Sequence, residues 1–249
     1  MLTYEEKNEQ IEQANKNRVE YITHMGNDNL HALSAWASTF YDLDLEMPEE
    51  ENMRVDHIVN YIVSKSSRMR SVEDLLRYLA ENEHESPFRM SAFVFGMTTE
   101  IATHIQKLKH AVILEAENGE SAKYKELKED KFYLPEDWLN YGEVGKKWYN
   151  KLKETTEISN ELYHQCYKEL KEVGMPLKRV KESSRFFKTY NSQINTINKF
   201  SFAGVMLLYK KRTVDFAQEE IKEVATEMVE IIKNLKGNPF KYSLKAFGL

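Results

Sequence analysis

The sequence predicts a single α+β domain built mainly of helices. The 249 residues include only nine glycines and five prolines, which favours long helices over a β-sandwich with a turn every ten residues. Helical periodicity recurs along the chain, and two stretches rich in β-branched and aromatic residues interrupt it. No internal repeat or linker is visible, so we expect a polar tail or helix at 1–19 and one domain at 20–249.

The first half of the chain predicts three helices, one strand and a fourth helix. Apolar residues at helical spacing predict helices over 29–40, 53–63 and 72–79. Pro87 ends the third of these, and residues 91–97, rich in Phe, Val and Met, predict a strand. Thr98 is expected to cap the next helix.

The second half predicts a polar loop, three helices and a β-rich stretch. Residues 118–131 are polar, and a strongly periodic helix over 148–173 ends at Gly174, with Pro176 just beyond. The remaining elements are a short helix, a β-rich stretch and a long amphipathic helix, over 177–187, 193–209 and 215–235 respectively.

Charge and cysteine content exclude several classes of protein. The chain carries 35 basic and 40 acidic residues, a net charge of −5, so it is neither a polybasic nucleic-acid binder nor an acidic disordered tail. No apolar stretch is long enough to span a membrane, and the N-terminus lacks the pattern of a signal peptide. Cys166, the only cysteine, excludes a disulfide and a multi-cysteine zinc site, which predicts a cytoplasmic protein without a metal. Cys166 is expected to be a small buried residue of a helix, with a catalytic thiol as the alternative.

Basic residues form three clusters that suggest a site for an anion, most plausibly a phosphate. The alternative is that they are solvated helix faces balanced by neighbouring glutamates. The clusters are Lys107, Lys109, His110, Ser121, Lys123, Lys125 and Lys128; Lys178, Arg179, Lys181, Arg185 and Lys188; and Lys210, Lys211 and Arg212. The three tryptophans are expected to be packing residues. The chain has no Gly-rich phosphate loop, nucleophile elbow or zinc motif.

Several short segments resemble the motifs of the flavin-dependent thymidylate synthase (ThyX) family. The segment His84-Glu-Ser-Pro-Phe88 resembles a family motif that leads into a strand. Gln106 to His110, followed by Asn118 to Tyr124, resembles the family's QxxRHR and downstream serine–arginine motif. Arg185 and Arg212 fall in two further motifs, and the matches run in family order from about residue 20 to 235.

The resemblance implies an antiparallel sheet flanked by long helices, in a homotetramer with active sites between subunits. It also implies reductive methylation of dUMP to dTMP, using FAD, NADPH and methylenetetrahydrofolate, with the flavin rather than a cysteine carrying the chemistry. The expected partner is dUMP or a related pyrimidine nucleotide, with no nucleic acid or membrane involved.

Residue by residue, the resemblance implies a better-preserved nucleotide site than flavin site. The residues at nucleotide positions are Gln106, Ser121, Lys123, Arg185 and Arg212. Those at flavin positions are Ser38, His84, Ser86, Lys109, His110 and Asn118. Arg89 replaces the family's motif glutamate, while Ser201, Ala203 and Leu207 replace the polar residues of a run that touches the flavin.

Three functions remain open from the sequence. The first is a divergent thymidylate synthase, in which Arg89, Lys107 and Lys109 could compensate for the lost flavin contacts. The second is a member without catalysis that acts as a nucleotide-binding, regulatory or structural subunit, perhaps beside an active paralogue. The third is a different modification of a pyrimidine nucleotide on the same fold.

Overall fold

A four-stranded antiparallel sheet and many helices make up the fold, which confirms the α+β class. The structure is a computed structural model that describes residues 16–37, 45–65, 70–109, 113–121 and 123–249. The strands are β1 (Arg18–Met25), β2 (Ala92–Glu100), β3 (Leu114–Gly119) and β4 (Gln193–Phe200). Their order across the sheet is β1-β2-β4-β3, so β1 and β3 are the edges.

Helices separate and follow these strands. Between β1 and β2 lie α1 (Asp28–Ala35), α2 (Arg54–Lys65) and α3 (Val72–Glu81), and α4 (Ile101–Leu108) follows β2 directly. The long α5 (Gly142–Glu172) and the short α6 (Leu177–Ser184) precede β4. After β4 come α7 (Phe202–Arg212), α8 (Glu219–Lys233) and α9 (Lys241–Ala246). No helix of the described part combines the length and the apolar character that crossing a membrane requires.

Packing divides the described chain into two compact units. Unit 1 takes in the described residues of Met1–Val19, Gly96–Lys109 and Glu117–Ile197. Unit 2 takes in those of Glu20–Phe95, His110–Ala116 and Asn198–Leu249. Each of the four strands has residues in both units.

Unit 1 is organised around the buried face of α5. Gly145, Thr156, Asn160, Tyr163 and Tyr167 of this helix are buried, at successive intervals of eleven, four, three and four residues that keep them on one face. The hydroxyl of Tyr163 accepts a hydrogen bond from the backbone N–H of Leu127, at 2.9 Å. The loop that precedes α5 is therefore fastened to the helix by a buried tyrosine.

Unit 2 has an aromatic core built around one buried histidine. The rings of Phe88, Phe202 and Phe240 lie with centroids 5.3–5.7 Å from that of His31. His31 Nδ1 and Nε2 lie 2.8 Å from the hydroxyls of Ser243 and Ser91 respectively. A fully buried polar ring is thus satisfied at both nitrogens, as burial in an apolar core requires.

The predicted β-rich stretch at 193–209 was wrong in its second half. The strand β4 ends at Phe200, and α7 begins at Phe202 after Ser201, whose hydroxyl accepts a hydrogen bond from the Gly204 N–H at 3.2 Å. Residues 202–206 and Leu208 are buried, so α7 is apolar around most of its circumference. Such a run shows no helical stripe and reads like a strand.

Three further expectations were wrong. Glu100 rather than Thr98 caps α4, because the Glu100 carboxylate accepts a hydrogen bond from the Thr103 N–H at 2.9 Å. Cys166 is half-buried rather than buried. Trp36 is buried, but Trp148 is 55% exposed and is not a packing residue within the chain.

Candidate functional site

The main candidate site is a basic cavity of about 300 Å³ in unit 1. Its wall comes from the start of α4, the loop after β3, the turn after α6 and the start of β4. Five cationic side chains and two carboxylates line it: Lys125, Lys128, Lys131, Arg185 and Lys188, with Glu120 and Glu129. The wall therefore carries three more cationic than carboxylate side chains in a protein whose net charge is −5.

Two of these cations are already neutralised within the wall. Glu120 accepts a hydrogen bond from the Asn195 amide at 2.9 Å and pairs with Lys125 at 3.2 Å and Lys131 at 3.6 Å. Lys131 also pairs with Glu129, at 3.0 Å, and lowers the pKa of that carboxyl. The surplus positive charge of the cavity thus comes from the other cations.

Arg185 is the most available cation in the cavity. It is the first residue of a 3-10 turn, Arg185–Phe187, that continues α6, and its side chain is exposed. Its guanidinium makes no hydrogen bond or ion pair with any residue that the structure describes. An arginine fork in this state can hold a phosphate with two parallel hydrogen bonds.

A buried ion pair borders the same cavity. Lys107 is fully buried, and its ammonium lies 2.9 Å from Glu117 and 3.2 Å from the Thr196 hydroxyl. Burial lowers the pKa of Lys107, and Glu117 opposes that shift. The Glu117 carboxylate also lies 3.6 Å from Nε2 of His104, which lines the cavity. Lys107 therefore fixes Glu117 and, through it, one side of the cavity wall, and it is not available to an anionic cofactor.

The structure brings together two of the five predicted nucleotide residues in one unit-1 cavity. Ser121 and Arg185 line the basic cavity, whereas Lys123 lines a second cavity of about 440 Å³ with Lys178 and Lys181. Gln106 lies on α4, outside the wall of the basic cavity. Arg212 belongs to unit 2, where it ends α7.

The predicted flavin residues are divided between the two units. His84 and Ser86 belong to unit 2, and both are exposed. Lys109 and Asn118 belong to unit 1 and are exposed as well. Ser38 and His110 lie outside the residues that the structure describes.

A large cavity beside His84 offers a test of the flavin interpretation. Its volume is about 730 Å³, and its wall includes three glutamates, Glu81, Glu83 and Glu85, and a single lysine, Lys210. A diphosphate placed here would meet three carboxylates, and juxtaposed like charges cost several kcal/mol.

The residues at the positions of the family's flavin-contacting run do not replace the lost flavin contacts. Ala203 and Leu207, at two of these positions, line the cavity beside His84 as apolar residues. Ser201, at the third, caps α7. Arg89 pairs with Glu85 at 3.4 Å. The described residues therefore do not fit an anionic dinucleotide at these positions.

Five lysine or histidine residues of the basic cavity were not predicted as site residues. Lys125, Lys128 and Lys188 belong only to the basic clusters of the sequence, and Lys131 and His104 belong to no cluster or motif. The only indication in the sequence was the density of basic residues from Ser121 to Lys131 and from Arg185 to Lys188. The fold of the chain determines that these two segments line one cavity. No group of three or more potential metal ligands occurs among the described residues.

Comparison with known proteins places this site in a family context. A profile described as "Thymidylate synthase complementing protein" (Thy1) matches residues 19–236. The flavin-dependent thymidylate synthase of Thermosipho africanus is 30% identical over 174 residues, covering 65% of this chain and 72% of that enzyme. The enzyme of the same description from Thermosipho melanesiensis is 31% identical over 173 residues, covering 65% and 71%.

A solved structure shares the fold. The crystal structure of the UMP/dUMP methylase PolB from Streptomyces cacaoi, bound with 5-Br dUMP, superposes with a TM-score of 0.68 at 19% identity. The match covers 94% of this chain and 95% of that one. With a family profile spanning most of its length and two relatives at 30% identity or above, the chain belongs to the Thy1 family of flavin-dependent thymidylate synthases.

Proposed function

We propose that this chain binds a pyrimidine nucleoside monophosphate, dUMP or UMP, with its phosphate in the basic cavity of unit 1. The observation that carries the proposal is the cavity wall, in which Arg185 is uncommitted and Ser121 offers a hydroxyl. Lys128 and Arg185 are wall cations that pair with no carboxylate of the described residues, and their two charges suit the double negative charge of a phosphate monoester. Family membership supplies the pyrimidine nucleotide as the ligand class.

Substitution of the uncommitted arginine tests this proposal. Arg185→Met should weaken dUMP binding about tenfold or more, because a hydrogen bond to a charged group contributes about 1.5–3 kcal/mol. Isothermal titration calorimetry measures the change. Arg179→Met is the matched control, since Arg179 is exposed on α6 and does not line the cavity. Equal affinity of Arg185→Met and the unaltered protein for dUMP would contradict the proposal.

Reductive methylation of dUMP to dTMP is the reaction that the family match favours for this chain. It would require FAD as the source of the hydride, with methylenetetrahydrofolate and NADPH as co-substrates. The acidic and apolar wall beside His84 instead favours a member that binds the nucleotide without flavin chemistry, as a regulatory or structural subunit. Flavin absorbance after incubation with excess FAD separates the two: retained flavin together with dTMP formation supports the enzyme, and a flavin-free protein that still binds dUMP supports the subunit.

The family resemblance also leads us to propose a homotetramer. The exposed apolar face of α5 supports self-association, because Val144, Trp148 and Leu162 are 67%, 55% and 42% exposed on one long helix. An exposed apolar stripe of this kind is typical of an interaction surface.

A further inference from the structure

Lys188 of the basic cavity is much more buried than an ordinary surface lysine. The side chain of Lys188 is 7% exposed, yet it lines the cavity together with Arg185. Lysine is almost never buried to this extent unless its charge is paired. The surroundings of Lys188 therefore decide what its ammonium group can do.

A cradle of three residues holds the Lys188 ammonium. Its Nζ donates a hydrogen bond to Asp130 Oδ1 at 2.8 Å and another to Asn160 Oδ1 at 2.7 Å. The same atom lies 4.5 Å from the ring centroid of Tyr163. Asn160 and Tyr163 are buried on α5, so the cradle is built on a rigid element. Its geometry is set by the fold rather than by a mobile surface chain.

The cradle uses two of the three N–H donors of the ammonium group. No described acceptor takes the third donor. An anion in a cavity of about 300 Å³ cannot lie far from any part of its wall, and a distance below about 8 Å is within the range at which charges act on one another at physiological salt. The Lys188 ammonium is thus close enough to attract a phosphate in the same cavity.

We propose that Lys188 is a phosphate-binding residue of this cavity, aimed by Asp130 and Asn160. The assignment rests on the proposed nucleotide function and specifies which residue, beyond the motif positions, selects a phosphate-bearing ligand. Asp130 and Asn160 are positioning residues, since they act through the lysine. Asp130 also partly neutralises the charge of Lys188, because its carboxylate pairs directly with the ammonium group.

This arrangement predicts opposite effects for two substitutions. Lys188→Met removes the ammonium at nearly constant volume and should weaken dUMP binding about 10- to 100-fold, the range expected for a hydrogen bond between charged groups. Asp130→Asn keeps the Oδ1 acceptor and removes the competing charge, so dUMP binding should tighten. The gain should be only about two- to fivefold, because the Asp130 side chain is 41% exposed and its charge is screened.

Calorimetry with dUMP at pH 8 measures both effects. His164 Nε2 also contacts Asp130, at 3.0 Å, and is present in both variants. Titration with deoxyuridine, followed by nuclear magnetic resonance, reports binding without the phosphate. Lys188→Met should leave the deoxyuridine affinity unchanged. Lys153→Met, on the exposed side of α5, is the control and should bind both ligands as the unaltered protein does.

Three outcomes would overturn the assignment. They are an unchanged dUMP affinity in folded Lys188→Met, an equal loss for dUMP and deoxyuridine, and weaker dUMP binding in Asp130→Asn. If Lys188→Met does not fold, the direction of the Asp130→Asn effect decides the question. Failure of the unaltered protein to bind dUMP would instead overturn the proposed function itself, and with it this assignment.

Discussion

The roles of His31 and His104 depend on how deeply each ring is buried and on which groups it contacts. The sequence alone assigned neither residue a role. His31 is fully buried and bonded at both ring nitrogens, so its role is structural. His104 lines the basic cavity beside Glu117, and burial lowers its pKa more than Glu117 raises it. A neutral His104 adds a polar edge to the cavity wall without adding charge.

The tautomer of His31 follows from the hydroxyl groups around it. Ser243 Oγ donates its hydrogen to Asp28 at 2.5 Å, so it must accept from His31 Nδ1. The other nitrogen, Nε2, then accepts from the Ser91 hydroxyl. A neutral ring completes this chain of hydrogen bonds without placing a charge in the apolar core.

His31 should make the protein less stable as the pH falls below 6.5. Burial lowers its pKa to about 3 from 6.5, so between these values the unfolded chain binds a proton that the folded chain does not. The free energy of unfolding should therefore decrease by up to about 1.4 kcal/mol per pH unit as the pH falls. Between pH 7 and pH 5 the loss should be about 2 kcal/mol, measured by urea denaturation.

His31→Gln provides the comparison for this effect. Glutamine can donate and accept one hydrogen bond each but does not titrate. Burial raises the pKa of Asp28, which acts in the opposite direction at acid pH, but both proteins carry Asp28 and its contribution cancels in the difference. A stability difference between the two proteins that stays constant from pH 7 to pH 5 would show that His31 has no such effect.

At the scale of the element, amphipathic helices could be predicted from sequence and edge strands could not. The predicted helix over 72–79 is α3, which buries Leu75, Leu76 and Leu79 and exposes its other face. The strands β1 and β3 were missed, because an edge strand exposes most of its residues and carries charges that break the alternating pattern. The prediction of α7 failed for the opposite reason, since six of its first seven residues are buried and this part of the helix has no polar face.

The start of α5 depends on one glycine. A methyl group on Gly145 would overlap the backbone carbonyl of Trp138, in the 3-10 turn Glu136–Tyr141 that precedes the helix. Gly145→Ala should therefore destabilise the protein by about 1–3 kcal/mol, as overpacking does, although alanine is normally the better helix former.

Thermal and urea denaturation test the Gly145 effect. Lys153→Ala, at an exposed position of the same helix, should change the free energy of unfolding by less than about 0.5 kcal/mol. Stabilisation by Gly145→Ala would mean that the turn can move away without cost and that the close approach is not required.

At the scale of the whole molecule, the motif order predicted the family, but the site depended on the chain fold. Ser121 and Arg185 lie far apart in sequence and meet in one cavity because the loop after β3 and the turn after α6 belong to the same unit. Spacing along the chain carries no information on that meeting. Charge reversal at Arg89 was visible in the sequence, whereas its pairing with Glu85 required coordinates.

The long helix α5 carries an apolar stripe that no described residue covers. Tyr141, just before the helix, and then Val144, Trp148, Ile158 and Leu162 recur at intervals of three, four, ten and four residues, and all are at least 42% exposed. These intervals match the three-and-four alternation of a helix seam, with Lys151 and Thr155 at the intervening positions. Packing this seam against the same helix of a second copy would remove the exposed apolar side chains of both copies from water.

Self-association through α5 predicts that a charge on the stripe reduces the molecular mass in solution. Trp148→Glu should shift the mass, measured by sedimentation equilibrium at micromolar concentration, towards that of the 29.4 kDa monomer. Asn150→Glu adds the same charge at an exposed position off the stripe and should keep the assembled mass. A monomeric unaltered protein, or equal masses for both variants, would exclude this face as the contact. Because the single chain buries neither Trp148 nor Val144, the loss should appear in assembly and leave the thermal stability of the monomer unchanged.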